Sequence, residues 1–352
     1  MSRRLRLLVF GTGGWAGVWH EHFLPSVADQ AVVAALVDQD AASLHRRGDE
    51  LGVPPQLRCE SITAAATMLK NEPPLDAALV VVPPACHLPA ITVAAEAGLP
   101  VLTEKPLAGT WQDAVDITRL VRSLGTKLQV VQNYRHYPAI AAAKSVLADG
   151  RLGPVLLVSA RFGADYRAPG SWGGDRHRHP HAALVEAGAH HFDQIRNLAG
   201  ETPELVWADE WRPARATSFT GSPCAVAGGV FPSSARFVYE ASAVAAGQQS
   251  GWKEERYRIE CAQGSLTVDG SRVVVAQRVH GETREEEVRV EEARLTGHRA
   301  VLREFLAWVA DGTPPSTPLD DNVKTAATMF AAVQAAQRRS PVTVAAHLAQ
   351  LI

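Results

Sequence analysis

The chain is 352 residues long, 46% hydrophobic and 20% charged, with a formal net charge of -2. That length exceeds what one hydrophobic core ordinarily sustains, so two domains are expected. Near-neutral charge argues against a nucleic-acid partner, and no run approaches the roughly 18–20 apolar residues of a membrane span.

In MSRRLRLLVF the paired arginines look like the start of an export signal. The apolar run ends at Phe10, short of the roughly 7–15 residues of a signal core, and reads as a first strand. LRLLVF, AVVAALV, DAALVVV, LPVLT and KLQVV read as strands, and AITVAAEAG and WQDAVDITRLVRSLG as helices closed by Gly98 and Gly125. Continuous apolar strands alternating with helices predict a doubly wound parallel α/β sheet covered on both faces, over residues 1–130. Beyond it, VLLVSARF, ARFVYEAS, RYRIEC, SLTV and RVVVAQRV alternate polar with apolar residues. Tyr257, Ile259 and Cys261 face one way, and Arg256, Arg258 and Glu260 the other. A largely antiparallel sheet with one covered face follows for a second domain, residues 131–352. HRAVLREFLAWVADG, with an apolar stripe of Val301, Leu302, Phe305, Leu306 and Val309, and NVKTAATMFAAVQAAQ return to helix. Cys59, Cys86, Cys224 and Cys261 are far apart and form no Cys-x-x-Cys pair, which suits a reducing cytosol.

Gly11, Gly13 and Ala16 in GTGGWA have the G-x-G-x-x-G/A spacing between a strand and a helix. The first glycine makes a tight turn, the second admits a pyrophosphate, and the third small residue lets helix and strand pack closely. Gly11, Thr12, Gly13, Gly14, Trp15 and Ala16 are therefore the candidate cofactor loop. Asp38 ends the second strand, where a carboxylate holds the adenosine ribose hydroxyls or, alternatively, caps the next helix. Asp38 repels a 2′-phosphate and no arginine adjoins it to accept one, so NAD is expected rather than NADP. LPVLTEKPLAGT puts Glu104, Lys105 and Pro106 at the carboxyl end of a strand, the edge where such sheets bind ligands.

GGDRHRHPHAALVEAGAHHFD holds five of the 13 histidines. If a helix runs from about 184 to 199, Glu186, His190 and Asp193 share one face and His191 lies about 100° around the axis. His177, His179 and His181 alternate with Arg176, Arg178 and Pro180. Guanidinium neighbours disfavour a bound cation, so this is expected to be a polar loop with no metal.

In order and spacing, GTGGWA, VDQD, VVVPPACH, GLPVLTEKPLAGT, NYRHYP, GRLGPV and EAGAHHFD resemble the glucose–fructose oxidoreductase, inositol dehydrogenase and rhizopine-catabolism (Gfo/Idh/MocA) family. RYRIECAQGSLTVDG and LREFLAWVADGTPPSTPLDDN extend the resemblance over essentially the whole chain. It implies an N-terminal Rossmann domain, a C-terminal domain on a large open, mostly antiparallel sheet, and a site in the crevice between them. It also implies homodimers or homotetramers built through the open sheet. By the same resemblance Lys105 contacts nicotinamide and the substrate hydroxyl. Pro83, Pro84, His87, Glu104 and Arg135 belong to the cofactor side, though His87 also reads as a cap or packing residue. Tyr134, Trp172, Gly188, His190 and Asp193 belong to the substrate side.

His190 aligns with the family's catalytic histidine, and Glu186 with an acidic position usually held by aspartate. The activity implied is NAD(P)-dependent oxidoreduction of a hydroxyl on a sugar, inositol or related polyol. His190 acts as acid/base, Lys105 orients the hydroxyl, and Glu186 orients His190 or binds substrate. The alternatives are glycoside cleavage with retained NAD and no net redox, or a cofactor-binding regulator without turnover.

Overall fold

The computed structural model describes residues 3–71, 74–247, 252 and 254–351. Six parallel strands, β1 Leu5–Phe10, β2 Ala31–Val37, β3 Arg58–Cys59, β4 Ala77–Val80, β5 Val101–Thr103 and β6 Leu128–Val130, form one sheet in the order β3-β2-β1-β4-β5-β6. Their apolar runs are buried on both faces: Leu7, Leu8, Val9 and Phe10 of β1 are at most 1% exposed. Helices α1 Gly14–Val18, α2 Ala41–Leu51, α3 Ile62–Asn71, α4 His87–Glu96 and α5 Trp111–Leu124 connect the strands. Strand order reverses beside β1, whose neighbours are β2 and β4, so the loops leaving β1 and β4 face each other at the carboxyl edge. α5 starts at Thr110, whose side chain accepts from the Asp113 amide, and stops at Gly125 in a left-handed conformation.

The second sheet has nine strands: β7 Val155–Gly163, β8 Leu205–Trp211, β9 Cys224–Val230, β10 Arg236–Ser242, β11 Arg256–Cys261, β12 Gly264–Asp269, β13 Arg272–Val279, β14 Glu282–Glu287 and β15 Val342–Thr343. Their order is β14-β13-β12-β11-β7-β10-β9-β8-β15; β7 and β10 run parallel, and every other neighbouring pair is antiparallel. In β11, Tyr257, Ile259 and Cys261 are buried while Arg256 and Arg258 are exposed, as the alternation predicts. α6 Pro138–Ala148 packs on β12 and β13, and α8 Gly188–Ala199 on β7 and β10, covering one face; the short α7 Gly174–Arg178 precedes α8.

The chain forms two units, and the split differs from the boundary expected near residue 130. One unit runs to Asn133 and takes up the chain again from Gly297 to Val323; the other holds Tyr134–Thr296 and Lys324–Gln350. Residues 297–323, expected in the second domain, thus belong to the first. They include α9 Gly297–Asp311 and the start of α10 Leu319–Arg338. The physical reason is the β6 edge. Val130 donates its amide to the Thr317 carbonyl (3.1 Å), Gln129 forms an antiparallel bridge with Pro318, and Lys127 Nζ donates to the Trp308 carbonyl (2.8 Å). The returning segment covers an open strand edge.

Candidate active site

β1 leads into the glycine turn. Gly11 has φ +105°, and a Cβ there would stand 2.2 Å from the Val81 carbonyl oxygen on the adjoining loop, so only glycine fits. Among the described residues no side chain caps the α1 amides at Gly13, and a Cβ at Gly14 would meet none of their atoms within 4 Å. Backbone donors with open space before them fit an anionic dinucleotide. Asp38 Oδ2 accepts from the Thr12 amide (2.7 Å) and hydroxyl (2.8 Å), and Oδ1 from the Asp40 amide (2.9 Å). The cap of α2 is Asp40, which accepts from the Ala42 and Ser43 amides. Asp38 is therefore not the helix cap. Its carboxylate is braced beside the turn, where it suits the ribose of NAD.

Pro83 and Pro84 start the short turn into α4 after the β4 strand. His87, expected on the cofactor side, is fully buried, with its two ring nitrogens 3.1 Å from the Leu107 and Val82 carbonyl oxygens. It ties three backbone segments together, which is the packing role the sequence left open. Glu104 also turns inward. Its carboxylate accepts from the indole N–H groups of Trp15 (2.6 Å) and Trp19 (2.8 Å) and from the Lys105 amide (3.1 Å). Trp15, expected to touch the cofactor, thus donates to Glu104. Lys105 is half-buried and joined to Pro106 by a cis peptide.

In the second unit, His190 is only 7% exposed. Its ring stacks on Tyr134, with centroids 4.3 Å apart and planes 10° from parallel, and meets Trp252 edge-on at 5.7 Å. The Tyr134 hydroxyl donates to Glu255 Oε1 (2.7 Å). Burial first, and then the Glu255 charge, hold that phenol well above its usual range, so Tyr134 stays protonated. His191 is fully buried, with Nδ1 2.9 Å from the Tyr239 hydroxyl and Nε2 3.5 Å from the same Glu255 oxygen. Trp172 is buried and stacks on Tyr166.

The helical spacing expected for this stretch does not hold throughout. Ala182–Ala187 is a π turn and α8 begins only at Gly188, so the shared face of Glu186 and His190 cannot be read from 3.6 residues per turn. Buried Glu186 accepts from Arg176 Nε at 3.2 Å. Asp193, expected at the substrate, is fully buried and grips Arg135, expected at the cofactor, in a two-pronged ion pair: Nε to Oδ2 2.8 Å and Nη2 to Oδ1 2.6 Å. A carboxylate without solvent demands such pairing. The space that Gly188 leaves is lined by the Phe192 ring, 3.1 Å from a would-be Cβ.

The profile of the oxidoreductase family with NAD-binding Rossmann fold (GFO/IDH/MocA) matches residues 5–132, and that of the GFO/IDH/MocA C-terminal domain matches residues 140–267. The chain is 30% identical to the uncharacterized protein y4oX of Sinorhizobium fredii over 348 residues, 96% of this chain and 95% of that one. It belongs to the Gfo/Idh/MocA oxidoreductase family. Two solved structures of similar fold are an oxidoreductase from Agrobacterium radiobacter in complex with NAD+, L-tartaric acid and magnesium, and an inositol dehydrogenase homolog from Azotobacter vinelandii complexed with NADH and myo-inositol. The first is 22% identical (TM-score 0.82, covering 98% of this chain and 99% of that one). The second is 19% identical (TM-score 0.82, covering 97% and 98%). The chain is an NAD(P)-dependent oxidoreductase, and its first unit carries the NAD-binding Rossmann fold.

Within this Gfo/Idh/MocA member the remaining histidines have separate partners. His177 lies on α7, not on a strand; its nitrogens are 3.0 Å from the Gly173 and 2.9 Å from the Tyr166 carbonyl oxygens. His179 Nδ1 accepts the His181 amide (3.1 Å), and His181 pairs with Glu210. Among the described residues no group of three or more His, Cys, Asp or Glu side chains is arranged to hold a metal ion. Sequence reasoning missed Glu255, Tyr239 and Trp252. A signal existed for Glu255: extending the alternation of β11 by one residue puts this acid on the covered face.

Proposed function

We propose that this enzyme reversibly oxidises a secondary hydroxyl of a sugar, inositol or related polyol, with NAD preferred over NADP. The observation that carries the reading is His190, a nearly buried imidazole clamped face-on by Tyr134 and edge-on by Trp252, in a chain of this family. NAD, when bound, accepts the hydrogen and electron pair that leave the carbinol carbon. Lys105 orients the hydroxyl and stabilises negative charge growing on its oxygen, an effect that is strongest where water is excluded. His190 takes the hydroxyl proton as general base, a task suited to an imidazole, whose ring nitrogen accepts a proton and returns it in the reverse reaction. Tyr134, locked by Glu255, keeps the imidazole plane fixed. The polyol class is supported by the myo-inositol bound to the Azotobacter neighbour.

The open sheet face supports assembly into a homodimer or homotetramer: Trp207, Val238 and Trp211 on it are 46%, 44% and 42% exposed. A cytosolic location is supported by four cysteines that are all free thiols.

The decisive experiment is a panel of polyols and sugars offered with NAD and with NADP while the nicotinamide absorbance band is followed. Growth of the reduced band with one polyol supports the reading. Cleavage of a glycosidic bond at constant absorbance would replace it with hydrolysis, and NAD binding without turnover across the panel would replace it with sensing.

A further inference from the structure

We propose that Glu104 is a positioning residue for Lys105, tying the lysine's backbone to the helix that leaves the glycine turn. The proposal rests on the reading of Lys105 as the group that meets the substrate hydroxyl. Glu104 is 5% exposed, and a carboxylate so buried must be supplied with donors. Its two oxygens divide those donors between two elements. Oε1 takes both indole N–H groups, from Trp15 at 2.6 Å and Trp19 at 2.8 Å, while Oε2 takes the Lys105 amide at 3.1 Å. The two lone pairs of Oε1 are thereby filled by Trp15 of α1 and by Trp19 of the π turn Trp19–Phe23 that continues it. Because a carboxylate is rigid and planar, fixing Oε1 also fixes Oε2, and with it the Lys105 amide.

The Trp19 indole has little freedom to move, and Trp15 is held at one edge. Trp19 has no exposed surface, and His298, at the start of α9, stacks on Phe23 at 4.6 Å and meets Trp15 and Trp19 edge-on at 5.3 and 5.6 Å. His298 Nε2 also lies 3.6 Å from Glu104 Oε1. Glu104's own amide donates to the Val80 carbonyl at 2.9 Å, so the residue is anchored to the sheet at one end and to the helix at the other. The lysine that would orient the hydroxyl and the turn that would hold the dinucleotide are therefore registered through one side chain.

Glu104→Gln tests this with almost no change of volume. An amide has one acceptor oxygen: if it serves the indoles, an NH2 group faces the Lys105 amide; if it serves Lys105, the NH2 faces two indole donors. Trp15→Phe removes a single donor at a residue 44% exposed, where the fold tolerates it. The expected result for Glu104→Gln is a kcat lower by about 10- to 100-fold, the scale of a small misplacement in a reacting constellation. KM and calorimetric NAD affinity should stay near wild type, while the thermal midpoint falls by a few degrees because a buried donor is left facing another donor. For Trp15→Phe the same pattern is expected at smaller size.

Wild-type kcat in Glu104→Gln, in a protein where Lys105→Ala is inactive, overturns the positioning role alone. A loss of NAD affinity that matches the loss of kcat overturns it in favour of direct cofactor binding. Normal turnover in Lys105→Ala removes the reading of the lysine and the inference with it. Should Glu104→Gln fail to fold, Trp15→Phe decides: reduced kcat at unchanged NAD affinity supports the proposal, and unchanged kcat overturns it.

Discussion

Asp38 and Glu104 are both acids at strand ends, and the structure gives them different partners. Asp38 keeps its carboxylate beside the glycine turn through Thr12, so it was legible from spacing alone: a glycine motif, then a strand ending in an acid. Asp38→Ala is expected to lower NAD affinity about 10-fold or more, the loss of a charged hydrogen-bond acceptor, and to narrow the NAD/NADP ratio. Titration calorimetry with both cofactors checks this; an unchanged ratio would show that Asp38 only braces the turn. The role of Glu104 was not legible, because its donors Trp15 and Trp19 lie 89 and 85 residues away. The pairing of Arg135 with Asp193 was not legible for a similar reason: a motif identifies residue types, but which of them turn inward to pair is decided by burial.

The histidine-rich segment is held as an element, not as a metal cage. Thr220 donates its amide to the His177 carbonyl (2.9 Å), Ser222 to that of Pro180 (2.9 Å), and Ala183 to that of Ser222 (3.1 Å), so the strand connection before β9 clamps the loop that leads into α8. Gly221 makes the close approach possible: a Cβ there would stand 2.0 Å from the His179 carbonyl oxygen and 2.6 Å from Pro180 Cα, both backbone atoms. Gly221→Ala is expected to cost about 1–3 kcal/mol, seen as a lower urea midpoint at unchanged slope. Gly52→Ala, whose Cβ would meet no described residue within 4 Å, has no such backbone clash and should lose only what its positive φ of +66° costs. An unshifted midpoint in Gly221→Ala would contradict the clamp. Periodicity located α8 and its glycine stop, and it located the strands with clear alternation such as β11. It could not locate the π turn at Ala182–Ala187, since a helix that widens by one residue per turn keeps an apolar face.

At the scale of the whole molecule, the return of residues 297–323 to the first unit was invisible to periodicity, which marks a helix as amphipathic without naming the sheet it covers. Burial lowers the pKa of His20, His179 and His347 below the ordinary 6.5. As pH falls below that value the unfolded chain binds protons that the folded chain refuses, so stability declines with acidification. The thermal midpoint should be lower near about pH 5.5 than near about pH 7.5, and a flat profile would contradict the burial of these rings. Trp207 lies across Gly228 on the open sheet face, where a Cβ would stand 2.5 Å from the indole. Trp207→Arg combined with Trp211→Arg should convert an oligomer into monomers by light scattering; a wild-type protein that is already monomeric would remove the proposed contact. The most direct test of the central claim is turnover of a responsive polyol by His190→Ala and Lys105→Ala, with NAD affinity measured on the same preparations. Loss of kcat by about two or more orders of magnitude, at NAD affinity near wild type, is the expected result. Near-normal kcat in either variant would contradict the assignment of acid/base and orienting roles to these two residues.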